Sequence, residues 1–130
     1  MPAPLVATYS TAALVAAHTA FKNLIDAGAD PGTIKIRNAA DSLMATITLA
    51  DPCGTVNGTT GQLVFGIAAR EESADISGTA AYGEFCDSAG LVHLSLPAAQ
   101  GNAPASGYIV LNTLGIVSGS PVEVASATVG

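Results

Sequence analysis

At 130 residues the chain suits one domain, and a domain of that size removes roughly two-thirds of its unfolded surface from water, so a core is possible without staples. Charged residues make up 11% and apolar ones 49%. An ordinary soluble domain is about 25% charged, so this chain covers itself with small polar residues or hides surface against partners. The net charge of −6, with Lys22, Lys35, Arg37 and Arg70 as its Lys and Arg cations, argues against a nucleic-acid groove and against an anionic membrane surface.

The longest wholly apolar run, Ala12 to Ala17, falls far short of the ~20 residues that span a bilayer. The first nine residues lack the cationic start of a secretory signal, so the expectation is a chain that matures in the cytoplasm where it is made. Cys53 and Cys86 can form one bridge, but a reducing site of synthesis favours free thiols.

Residues Met1 to Tyr9 contain two prolines and no periodicity, which predicts an extended arm. Two readings stand side by side: a frayed terminus, or an apolar arm in which Leu5, Val6 and Tyr9 dock on a neighbouring subunit. Residues 10–130 then form the single domain. Ser10 or Thr11 caps a helix running to about Ala27, with Leu14, Ala17, Phe21, Leu24 and Ile25 as its stripe and Gly28 ending it. His18 lies beside that stripe and reads as a boundary residue, since zinc needs three or four convergent ligands.

Beyond the turn at Gly28 to Gly32, Thr33 to Asn38 alternates Ile34 and Ile36 inward with Lys35 and Arg37 outward. Leu43 to Ala50 sets Leu43, Ala45, Ile47 and Leu49 against Met44, Thr46 and Thr48. The Gly-rich stretch Asp51 to Gly61 predicts a loop, with too few acidic ligands for calcium. Gln62 to Ala68 is the next strand, and Arg70-Glu71-Glu72 reads as a solvated turn, with a salt-bridge contact to a partner as the second reading.

Gly78 to Leu96 is two strand-like runs hinged at Asp87-Ser88-Ala89-Gly90, because Asp and Ser bond nearby backbone and Gly accepts positive φ. Its first run, Ala80 to Cys86, has no obvious apolar side, so Tyr82 and Glu84 become candidates for an interface with another subunit. In the second, Val92, Leu94 and Leu96 form the inward set opposite His93 and Ser95. Pro97 to Gly107 predicts a long surface loop, Tyr108 to Thr113 a strand, and Val122 to Val129 the closing strand with Val122 and Val124 inward. One N-terminal α-helix and about seven or eight strands, broken by Gly and Pro turns, predict a mainly β fold, an antiparallel β-sandwich or jelly roll.

Catalytic patterns are thin. Neither His18 nor His93 adjoins a nucleophile motif, and the carboxylate pairs Glu84 with Asp87 or Glu71 with Asp75 are of a kind that any acidic chain offers. No metal, cofactor or phosphate-loop pattern is present, so the chain does not read as an enzyme. A carbohydrate-binding sandwich would use Tyr82 or Tyr108 as a platform, without the Trp such sites favour.

Three blocks carry a resemblance: the helix followed by DAGADPGTIKIRN; the pair LMATITLADP and ADISGTAAYGEFCDSAG; and the closing YIVLNTLGIVSGSPVEVASATV. In this order they resemble small tailed-bacteriophage structural proteins, including jelly-roll head cement or decoration proteins. The segment between Ile36 and Leu43 is shorter than in that family, and Pro97 to Gly107 is an Ala-rich insertion. The resemblance implies a virion component on the capsid exterior that binds the major capsid protein, as a homo-oligomer (dimer or trimer) at capsid symmetry axes, with no catalytic residues. A phage tail or tail-tip module is the alternative it leaves open.

Overall fold

The computed structural model describes residues 9–129; the expectations for Leu5 and Val6 lie outside the described residues. One helix, α1 (Thr11–Asp26), precedes nine strands: β1 (Thr33–Arg37), β2 (Leu43–Val56), β3 (Leu63–Ala69), β4 (Gly78–Thr79), β5 (Tyr82–Cys86), β6 (Val92–Gln100), β7 (Tyr108–Leu111), β8 (Gly115–Ile116) and β9 (Val124–Val129). Seven of them close into one barrel in the order β1-β2-β3-β9-β7-β6-β5, and β4 and β8 form a separate two-stranded sheet.

The mainly β fold with one helix agrees with the sequence reading, but the predicted sandwich is replaced by a barrel. Period-two alternation selects the residues that face inward and says nothing of whether the last strand pairs with the first. Here β1 pairs on both sides, with β2 and with β5, so among the described residues the ring of pairings closes on itself instead of dividing into two sheets. The sheet is also mixed, because β6 and β7 run parallel from Ala98↔Ile109 to Gln100↔Leu111. The short connection between Gln100 and Tyr108 suffices, since Gly107, at φ 81°, lets the chain double back over three residues of ladder.

Phe85, Ile34, Ile36, Ile47, Leu49, Leu63, Ile109 and Leu111 are fully buried in the barrel interior. Phe85 and Phe65 pack there with ring centroids 4.4 Å apart. Helix α1 closes one end. Ser10 caps it by accepting from Ala13 N–H (3.1 Å), and Gly28, at φ 105°, turns the chain after it. The expected stripe is rotated. His18 and Ile25 are the buried residues, with Leu14 and Phe21 half-buried, whereas Ala17 and Leu24 are exposed. The set 14, 18, 21, 25 keeps helical spacing, and His18 is drawn inside because its Nδ1 bonds the Gly61 carbonyl oxygen.

The other end is closed by the connections 70–81 and 112–123, zipped by β4 with β8 and by Glu71 with Val122. Met44 belongs to this plug and is fully buried, against the expectation of an outward residue. The register shifts between Ile36↔Ala45 and Arg37↔Leu43, leaving Met44 unpaired, and its methyl group reaches Gly78.

Two predicted loops are partly strand. β2 runs on to Val56 through Asp51-Pro52-Cys53, where Ala50 to Cys53 bulge between the pairs Leu49↔Ile67 and Gly54↔Phe65. Proline is tolerated there because no ladder bond is required of it, and the Cys53 N–H donates instead to Asp26 Oδ1 of the helix (2.7 Å). Likewise Pro97 to Gln100 extend β6, which leaves Gly101 to Gly107 as the loop. Both thiols are free and buried; burial, with the Asp26 carboxylate beside it, pushes the Cys53 thiol up to about 12.

Candidate functional site

The hairpin tip between β5 and β6 is held by its first residue. Asp87 N–H donates to Leu91 O (3.1 Å) and Gly90 N–H to Asp87 O (3.0 Å), with Gly90 at φ 88°. The Asp87 carboxylate accepts from Ala89 N–H and Leu91 N–H through Oδ1 (both 3.0 Å), and its Oδ2 meets His93 Nε2 at 2.9 Å. The bond with His93 first, then that from Leu91 N–H, holds the Asp87 carboxyl below the usual carboxylate range.

This turn sets the register of β6 against β5. Phe85 pairs with Leu94 but Cys86 pairs with Val92, so His93 is the extra residue of a bulge. Leu96 is buried and Leu94 packs half-buried on the core as expected, but Val92 is turned outward by the shift. The turn also meets the helix end: Ser88 Oγ donates to Ala27 O (3.3 Å). Leu24, Leu91 and Val92 therefore lie at one end of the barrel, 47%, 63% and 40% exposed. The sequence signal for this end was the adjacent pair Leu91-Val92 after a Gly turn, since two successive residues of a strand point to opposite faces.

The interface candidates of the sequence fall elsewhere and do not converge. Tyr9 stands exposed before the helix, whereas Tyr82 and Glu84 lie toward the opposite end on the outer surface of β5. Tyr82 OH donates to Asp41 Oδ1 (2.7 Å), Glu84 pairs with Arg37 Nε, and Arg37 Nη1 donates to Asp41 O (3.0 Å). Accordingly the bond to Asp41 raises the Tyr82 pKa and the bond to Glu84 raises that of Arg37. Both candidates thus serve to pin the Asn38–Ser42 turn, in which Asp41 sits at φ 64°. The tight segment between Ile36 and Leu43 is stabilised by this network.

Arg70 pairs with Glu72 (3.2 Å) and Glu123 (2.9 Å), and Glu71 accepts from Thr46 N–H (2.9 Å). That cluster is partly a solvated surface, as expected, and partly a clamp between connections. Around it lie two shallow depressions of about 280 and about 420 Å³ that share Arg70, Asn112 and Glu123. Among the described residues no three His, Cys, Asp or Glu side chains are grouped to hold a metal, and no helix is long and apolar enough to cross a membrane. Comparison with protein families, characterised proteins and solved structures gives no match to this chain.

The Asp87 network predicts a pH dependence with a definite sign. A carboxyl depressed in the folded state contributes stability above its ordinary value, near 3.9, and loses that contribution as pH falls through the lower folded value. Asp87→Asn keeps an acceptor for Ala89 and Leu91 but removes the charge facing His93. The melting-temperature gap between wild type and Asp87→Asn is expected to be full at pH 5 and to shrink towards pH 2. A gap that stays constant across that range would show that the charge contributes nothing.

Proposed function

We propose that this chain is a structural component of a tailed-phage virion: a capsid cement or decoration protein that binds the outside of the major capsid protein lattice as a homo-oligomer. The family resemblance of the three sequence blocks supports this reading. The single observation that carries the contact is the apolar end formed by Leu24, Leu91 and Val92, held in place by the Asp87 turn and the helix terminus. A surface of few charges costs less to desolvate, and many weak copies on a lattice gain by avidity.

The barrel in place of a jelly roll moves the proposed contact from a sheet face to the strand ends. Imaging of purified heads and tails carrying a tagged copy of this chain tests the assignment. Density at the symmetry axes of the head is the expected result. Density confined to the tail assigns the chain to the tail-module alternative, and density on neither overturns both.

A further inference from the structure

Three of the four Lys and Arg side chains have an acidic partner: Lys22 pairs with Asp26, Arg37 with Glu84, and Arg70 with Glu72 and Glu123. Lys35 is the exception, and among the described residues its ammonium forms no ion pair. It lies on the outer face of β1, between the buried Ile34 and Ile36 and directly opposite Glu84 of β5. Glu84 nevertheless takes the diagonal neighbour Arg37, which the Asp41 carbonyl oxygen also holds (3.0 Å). The other carboxylates towards this end do not serve Lys35 either. Asp87 is bonded by His93, Ala89 and Leu91, Asp26 by Lys22 and the Cys53 N–H, and the exposed Asp30, on the turn after the helix, makes no ion pair with it.

Lys35 reaches instead to the hairpin tip, where its Nζ lies 3.8 Å from the point that a Cβ on Gly90 would occupy. Its charge acts there: burial raises the pKa of the Cys86 thiol, and the Lys35 ammonium opposes that rise. Thr33, Cys86 and Val92 are in register across β1, β5 and β6, and Lys35 is the next residue of β1 on the same outer face. The ammonium therefore stands at the rim of the apolar end formed by Leu24, Leu91 and Val92, beside the residue that precedes Leu91.

That charge selects the kind of surface that fits. Nucleic acid and anionic lipid draw on clustered cations, and here a single unpaired one belongs to a chain of net charge −6. A wholly apolar partner would strip water from the ammonium and return nothing, and a basic partner would repel it. One cation beside three exposed apolar side chains matches one carboxylate set among apolar side chains on a protein surface. Resting on the capsid contact proposed above, we propose that the lattice surface covering this end presents a carboxylate to Lys35, flanked by apolar groups that cover Leu24, Leu91 and Val92.

Lys35→Met keeps most of the apolar stem and removes the charge, so it separates the ion pair from packing. Binding is measured on purified heads as isolated and on heads whose surface carboxylates have been amidated with methylamine and a carbodiimide. Wild type is expected to bind unmodified heads about tenfold more tightly than Lys35→Met, with Lys35→Arg within about twofold of wild type. Amidation is expected to bring wild type down to the level of Lys35→Met and to leave Lys35→Met nearly unchanged. Equal binding of wild type and Lys35→Met, with Leu91→Asp still weakened, overturns the carboxylate and leaves the apolar contact standing. Equal losses of wild type and Lys35→Met on amidated heads overturn it too. Full binding by Leu91→Asp removes the hairpin end from the contact, and the inference falls with that reading. Unchanged melting temperatures in the Lys35 variants exclude misfolding as the cause of any loss.

Discussion

Phe85→Ala is expected to remove about 3–5 kcal/mol of stability, the range for emptying a large aromatic from a packed core. In a domain of this size that corresponds to a fall in melting temperature of about 10–20 °C. Phe85 is fully buried at the centre of the wall, in register with Ile34 on one side and Leu94 on the other, and its ring rests on Phe65. Beside it on the same face of β5 the barrel has little room to collapse, because Gly83 is already approached by Ile109 and Ile34, to which an added Cβ would come within 3.1 Å. Neighbours so closely set cannot move in to fill a benzyl-sized space, so the cavity persists. Urea unfolding of wild type and variant measures the difference. A loss below about 1 kcal/mol would place the ring outside the cooperative core.

The second large effect is on assembly. Leu91→Asp is expected to weaken binding to capsids about 100-fold while leaving the melting temperature within a degree or two. Leu91 is the most exposed of the three apolar residues at the hairpin end, and its side chain contributes little to the core. A carboxylate there enters the proposed contact without a partner, and about 2.7 kcal/mol of lost affinity is a factor of 100. Val117→Asp is the control, because Val117 is equally apolar and 61% exposed but belongs to the plug at the opposite end. Occupancy on heads at subsaturating protein reads both variants. Equal loss in the two would mean that apolar exposure in general governs binding, and no loss with Leu91→Asp would remove the hairpin end from the contact.

Most strands were legible because alternation is a local property. Ile34 and Ile36, and Ala45, Ile47 and Leu49, face inward as their spacing requires, and the Asp87–Gly90 turn forms with its Gly at positive φ. What misled the reading was each place where a register shift inserts one residue. Met44 and Val92 both change sides across such a shift, and a slip of one flips every side chain beyond it. Pro52 and Pro97 suggested loops, yet both sit in strands at positions that ladder bonding permits. His18 was read as a boundary residue since its burial depends on the carbonyl of Gly61, 43 positions away. The intrachain partners of Tyr82 and Glu84, Asp41 and Arg37, were not legible because they come from a different part of the chain.

The sequence by itself determined the helix and a cap at Ser10 or Thr11, the tight turn from Asp87 to Gly90, the inward residues of β1 and most of β2, and a surface short of charge. These arise from backbone preferences and from periods of two and 3.6 that neighbouring residues impose on one another. Only the tertiary structure decided that the sheet closes on itself and that Leu24, Leu91 and Val92 share one end. Strand pairing across dozens of residues is set by the sum of many weak contacts and by single-residue bulges, and no local pattern encodes that sum.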